Sequence, residues 1–192
     1  MAREEEYGSY EELSKKEREN VDYSVMVRPV AGSVVAIAAP HGGGIEFLTA
    51  ELAESIAGSD HNYYAFKGLK KTGNRVLHIT SHRFNEPRAL RLIESCEKVL
   101  TVHGLKGPRL CLQVGGRDAE SGNRIHEALR AVGFDSKVVR DGEYAGTEEL
   151  NICNRGSVHA GVQLEIYAGL RQALKNDSAA YDRFVDTIRS TL

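Results

Sequence analysis

The sequence predicts an α/β fold, a three-layer α/β/α sandwich on a mixed, mostly parallel sheet. Three observations carry this. Apolar runs rich in β-branched residues recur along the chain, and several are continuous, as in strands covered on both faces. Amphipathic stretches of helical length separate them. At 192 residues the chain can bury a sizeable core but is short for two domains, so one unit is expected.

Strands are predicted over residues 33–39, 62–67, 76–80, 98–103, 109–114, 136–140 and 161–166. A helix is expected over 44–57, where Ile45, Leu48, Leu52 and Ile56 recur at helical spacing. A second, over 86–96, takes Asn85 as N-cap and Pro87 in its first turn, where the missing N–H costs nothing. A third runs from about 118 to 132, with Ile125, Leu129 and Val132 on one stripe and Gly133 closing it. The last, 178–192, places Tyr181, Phe184, Val185, Ile188 and Leu192 on one face. Residues 1–22 are strongly polar and read as a tail or short surface helix ahead of a single domain over 23–192.

Composition excludes several classes of function. A net charge of −2 gives no electrostatic reason to expect nucleic acid as a partner. No apolar run approaches the length needed to span a bilayer, so no membrane association is expected. The start M1-A2-R3-E4-E5-E6 is acidic and lacks the apolar core of a secretory signal; a cytoplasmic protein is expected, released by lysis if it acts outside. Cys96, Cys111 and Cys153 form no C-x-x-C pair and argue against a disulfide framework. Between Lys67 and Arg91 basic residues face a single acid, Glu86, which suits either an acidic substrate or a solvated surface.

The chemistry gathers at strand ends, where open α/β sheets place their sites. His41 follows the first long strand in P40-H41-G42-G43-G44-I45-E46, His103 ends V99-L100-T101-V102, and Glu165 lies near the end of G161-V162-Q163-L164-E165-I166. Such residues are costly to bury without partners, so convergence on one point is the economical reading. The glycines let the chain bend sharply enough for His41 and Glu46 to meet. Two imidazoles and a carboxylate leave a fourth position for water, the usual make-up of a catalytic zinc site. A phosphate loop fits less well, because H-G-G-G-I-E has neither the Walker lysine nor the G-x-G-x-x-G spacing.

Glu165 is the candidate general base: alternation puts it with Gln163 on the side of the strand opposite the aliphatic residues. Its bland alternative is a salt-bridged strand-end carboxylate. Asn154 and Arg155 in N151-I152-C153-N154-R155 offer an amide beside a guanidinium, suited to hold a substrate carboxylate. Arg171 and Arg75 could serve likewise, against the default of ordinary surface arginines. His78 and His82 sit where a strand leads into a loop; they make a weak second metal pair, and one of them could line the cleft.

Together with F66-K67-G68-L69, L77-H78-I79-T80-S81, F84-N85-E86-P87 and H103-G104, these motifs resemble those of the bacteriophage and Bacillus poly-γ-glutamate hydrolase family. The resemblance runs from the opening strand to the C-terminal helix. It implies zinc-dependent amidohydrolases with a fold similar to the zinc carboxypeptidases. It further implies Zn2+ held by His41, Glu46 and His103, with Glu165 as base and the Asn154-Arg155 pair on a substrate carboxylate. The substrate would be an anionic γ-glutamyl polymer or peptide. One departure from the wider carboxypeptidase class is clear: its H-x-x-E spacing is replaced by four residues between His41 and Glu46.

Three readings follow. The first is hydrolysis of the γ-glutamyl amide bonds of poly-γ-glutamate. The second is a zinc peptidase or deacylase acting on peptidoglycan γ-glutamyl peptides or N-acyl amino acids. The third is a non-catalytic, prophage-encoded metal-binding protein.

Overall fold

In the computed structural model, which describes residues 5–192, the apolar runs assemble into one seven-stranded sheet in the order β1-β3-β2-β4-β7-β5-β6. The strands are β1 (Tyr23–Arg28), β2 (Val35–Gly43), β3 (Asn62–Gly68), β4 (Lys98–Leu105), β5 (Cys111–Gly115), β6 (Asp135–Val138) and β7 (Val162–Tyr167). Strands β3, β2, β4 and β7 run parallel, β6 is parallel to β5, and the pairings β1 with β3 and β5 with β7 are antiparallel. The sheet is therefore mixed and mostly parallel, as expected. No helix is long and apolar enough to cross a membrane among the described residues.

Strand alternation sorts the apolar side chains into two cores. Ile37, Ala39, Leu100, Val102, Leu164 and Ile166 face a layer formed by α2 (Thr49–Ala57), α4 (Ala119–Ala131), α5 (Ala168–Asn176) and α6 (Ser178–Arg189). Helix α6 packs against both α2 and α4. On the other face Ala36, Ala38, Tyr64, Phe66 and Val99 meet α1 (Tyr10–Lys16) and α3 (Pro87–Glu94). Sandwiching the sheet this way buries both faces, which is why its central strands read as unbroken apolar runs.

Several elements differ from expectation for local reasons. Residues 76–80 are not a strand: Asn74–Leu77 is a 3-10 turn, closed by the Asn74 side chain on Lys70 N (2.9 Å) and Lys70 O (2.6 Å). Leu77 and Ile79 are buried, so the apolar run is real, but the edge of β3 is already taken by β1, an element absent from the sequence reading. Helix α2 starts at Thr49 rather than 44, after a turn in which Leu48 has φ of +69°. Glu86, not Asn85, caps α3 by accepting from Ala89 N; Asn85 Oδ1 instead accepts from Tyr10 N at 2.7 Å and ties down α1. A separate helix, α5, precedes α6, which ends at Arg189.

The start of the polar N-terminal segment, residues 1–4, lies outside the described residues. Farther on, Tyr7 and Leu13 are buried in the core beneath α3, so helix α1 is packed against the sheet. Truncating Leu13 to alanine should cost about 2–5 kcal/mol. At roughly 2–4 °C per kcal/mol for a chain of this size, the melting temperature should fall by ~5–20 °C. An unchanged melt by circular dichroism would show that α1 contributes nothing to the fold.

Candidate metal centre

Strands β2 and β4 should carry His41 and His103 to opposite faces of the sheet. Ala39 lies in one core, whereas Thr101 and His103 point the other way, with Val99. Unbroken alternation would leave His41 on the Ala39 side. Instead Ala39 pairs with Ala65 and Gly42 with Lys67, so β2 advances three residues while β3 advances two. The extra residue turns His41 onto the His103 face, as bulges re-aim side chains beside functional sites. Glycine is required here: a Cβ on Gly42 would lie 2.7 Å from Ala50 Cβ, and Gly43 has φ of +62° with a would-be Cβ 2.6 Å from Gly68 O. The glycines serve close packing and a bend.

That bend brings Glu46 back onto His41, with Glu46 N donating to His41 O at 2.8 Å. His41 Nδ1 then lies 3.4 Å from Glu46 Oε1 and 3.1 Å from His103 Nδ1, and His103 Nδ1 is 3.9 Å from Glu46 Oε2. His78, after the 3-10 turn, stacks on His41 with centroids 4.1 Å apart, its Nε2 3.9 Å from Glu46 Oε1. His41, Glu46 and His78 offer ligand atoms that all lie within 4.8 Å of one another, and His103 closes the other side.

The hydrogen bonds show what this cluster suits. His41 Nε2 lies 2.8 Å from Ile79 O, which can only accept, so Nε2 carries the proton and Nδ1 is bare. A bare nitrogen facing a carboxylate has no hydrogen to share; both are lone-pair donors aimed at a common space. His103 Nδ1, 3.1 Å from the bare His41 Nδ1, is the donor of that hydrogen bond in the ion-free site, a proton that a cation would replace, and buried His103 Nε2 has no partner among the described residues. Imidazole and carboxylate donors so placed fit a divalent cation.

Electrostatics separate the two carboxylates. Burial pushes Glu46 upward, but His41, followed by His103 and His78, outweighs it and holds the carboxyl at about 2. Gly104 N donates to Glu46 Oε2 at 2.8 Å. Glu165 goes the other way: burial first, then the Glu46 charge, raise it well above the usual range. Burial lowers His103 to about 3 and His78 to about 4; a proton added to His41 would push both further down, and Arg75 acts on His78 in the same direction. One carboxylate is thus kept charged and the other made proton-hungry, a division common to acid–base sites.

Glu165 stands directly beside His103, its register partner on β4. Its hydrogen-bonding neighbour among the described residues is Gln163, whose Nε2 donates to Oε1 at 3.0 Å. Asn151 Nδ2 in turn donates to Gln163 Oε1 at 3.0 Å. The chain of amides orients the carboxylate, and no lysine or arginine bonds to it among the described residues. The salt-bridged alternative therefore lacks its partner.

Other candidates are placed elsewhere. Asn154 is fully engaged: its amide donates to Gly146 O (2.7 Å) and Glu148 O (2.9 Å), while its oxygen accepts from Arg117 N and Gly161 N (both 3.2 Å). It clamps loop backbone, so the expected grip on a substrate carboxylate is corrected. Arg155 pairs with Glu94 at 2.6 Å, and the next residue, Gly156, packs against Val99. Val99 is four residues, about 13 Å of strand, before His103, at the wrong end for the cluster. Arg171 is buried and donates to Ile166 O, Leu105 O and Phe47 O, holding the Glu46 turn to the ends of β4 and β7. Gly104 makes room for it, since a Cβ there would meet Arg171 Cζ at 2.7 Å. Arg75 is exposed and close enough for its charge to act on His78. His82 is exposed and outside the cluster. The sequence reading missed Glu5, which accepts from Thr80 Oγ1 and faces His78 Nδ1.

A family model described as poly-gamma-glutamate hydrolase matches residues 7–186. The chain is 37% identical over 169 residues to YndL of Bacillus subtilis (strain 168), covering 88% of this chain and 66% of that protein. It is also 37% identical to the SPbeta prophage-derived protein YoqZ of the same organism, covering 88% of this chain and 61% of the relative. It thus spans less than two thirds of the length of either relative. Among solved structures, a zinc-free apo form of YndL superimposes with a TM-score of 0.92 at 33% identity, covering 98% of this chain and 97% of the other. A bacteriophage poly-gamma-glutamate hydrolase gives 0.90 at 30% identity, covering 98% and 96%.

Replacing Asn154 by alanine strands four backbone groups and should destabilise the fold by about 2–4 kcal/mol. A thermal melt followed by circular dichroism should show the loss; an unchanged melting temperature would show that these four hydrogen bonds do not hold the loop.

Proposed function

Because the chain belongs to the poly-gamma-glutamate hydrolase family, we propose that it is a zinc-dependent amidohydrolase that cleaves the γ-glutamyl amide bonds of poly-γ-glutamate. The observation that carries this reading is the convergence of His41 Nδ1, Glu46 and His103 Nδ1 beside a buried, proton-hungry Glu165. Zinc is favoured by the donor set and by the relative YndL, whose apo form is described as zinc-free.

His41, Glu46 and His103 would hold the ion. His103 is preferred to His78 as the third ligand because its Nδ1 lies 3.1 Å from His41 Nδ1 and its ring is more deeply buried, whereas His78 Nδ1 is already engaged by Glu5. Recruiting His78 as well would fill the position that an attacking water needs. When bound, zinc supplies a Lewis acid that polarises an amide carbonyl and makes water nucleophilic near neutral pH. Glu165 accepts a proton from the attacking water and delivers it to the departing amine nitrogen. Gln163 and Asn151 keep its carboxylate aimed at His103 and the space beyond. Arg75, exposed and close enough for its charge to act on His78, is the cation placed to meet the carboxylates of an anionic polymer, whereas His78 lines the cleft.

Purified protein incubated with poly-γ-glutamate should shorten the polymer on size-exclusion chromatography, stop with a chelator and recover on zinc addition. Glu165→Gln should bind zinc as the wild type does and lose kcat by about 10²–10⁴-fold. Polymer left intact by zinc-loaded wild type removes the substrate assignment. A Glu165→Gln enzyme of normal rate removes Glu165 from the proton transfer.

A further inference from the structure

Glu5 lies outside the residues matched by the family model, yet its side chain reaches the rim of the metal centre. Glu5 Oε1 is 2.8 Å from His78 Nδ1 and accepts from Thr80 Oγ1 at 2.6 Å, so two donors from one loop converge on a single carboxylate oxygen. The segment bearing it is anchored. Tyr7 is buried and its hydroxyl donates to Glu17 Oε1 at 2.9 Å, while Tyr10 N donates to Asn85 Oδ1. The contact is part-buried and joins residues 73 apart in sequence, so it belongs to the tertiary fold.

An ionised carboxylate can only accept. The nitrogen it faces must therefore carry the proton, and the other ring nitrogen of a neutral imidazole must be bare. That other atom, His78 Nε2, is the one 3.9 Å from Glu46 Oε1. Stacking on His41 at an interplanar angle of 30° fixes the plane of the His78 ring but leaves open which edge turns inward. Only a partner on Nδ1 decides that, and Glu5 is that partner.

We propose that Glu5 is a positioning residue of the site, locking His78 in the Nδ1–H tautomer so that a bare Nε2 faces the Glu46 side of the cluster. The lock itself is independent of metal. Its catalytic consequence rests on the hydrolase reading: His78 Nε2 accepts a hydrogen bond from the attacking water or from the substrate amide. Carboxylate–histidine pairs that orient a ring in this way commonly change activity by about 10–100-fold when broken.

The test is long-range 1H–15N correlation NMR of the histidine rings in metal-free protein, with His78 assigned by comparison with His78→Gln. Wild type should show His78 as the Nδ1–H tautomer. Glu5→Ala should move it toward Nε2–H, and Glu5→Gln, whose amide oxygen still accepts, should keep the wild-type pattern. In zinc-loaded protein, kcat should fall about 10–100-fold in Glu5→Ala at unchanged zinc content, and Glu5→Gln should restore it. His78 remaining Nδ1–H in Glu5→Ala overturns the proposal, as does an unchanged kcat. If wild type cleaves no γ-glutamyl bond, the hydrolase reading fails, and the tautomer measurement still decides the role of Glu5.

Discussion

One extra residue in β2, between Ala39 and Gly42, is the constraint on which the rest of the site depends. Without it, His41 would point into the core beneath α2, and His103 and Glu165 would face the opposite side of the sheet alone. The shift requires glycine at 42 and 43, because α2 and β3 approach too closely for a side chain. A local irregularity in one strand thus converts a layered scaffold into one with a polar cluster at its carboxyl edge.

Such a cluster is costly. A buried carboxylate and two buried imidazoles lose their hydration, and this is tolerable only with fixed hydrogen bonds and a compensating charge. The surroundings supply the hydrogen bonds: Gly104 N for Glu46, Ile79 O for His41, and Gln163 for Glu165. Arg171 ties the backbone of the Glu46 turn to two strand ends, so the carboxylate is held from both sides. A cation among the three donors would supply the remaining compensation. Donors already held in place by these bonds would leave little to reorganise on taking up an ion.

Much of this was legible in the chain because the responsible patterns are local. Continuous apolar runs mark β2, β4 and β7, and strand alternation places Gln163 and Glu165 together opposite Leu164. The glycine triplet correctly signals a bend. What escaped was set at long range. Residues 76–80 have strand-like composition but no free sheet edge, since β1 occupies it. Asn154 and Arg155 form a persuasive pair in sequence, yet the packing of Gly156 on Val99 carries them away from His103. Arg171 resembles a surface arginine until Gly104 is seen to open a space for it. Glu5 sits in a run of glutamates with no periodicity, and only long-range contacts, such as Tyr10 N on Asn85 Oδ1 and the burial of Tyr7, bring it to His78.

The most direct test is a crystal structure grown with one equivalent of zinc, with anomalous data collected on both sides of the zinc absorption edge. The account predicts a single strong anomalous peak about 2.0–2.2 Å from His41 Nδ1, from a Glu46 oxygen and from His103 Nδ1. A peak bound by His78 in place of His103, or one lying away from this cluster, would contradict it.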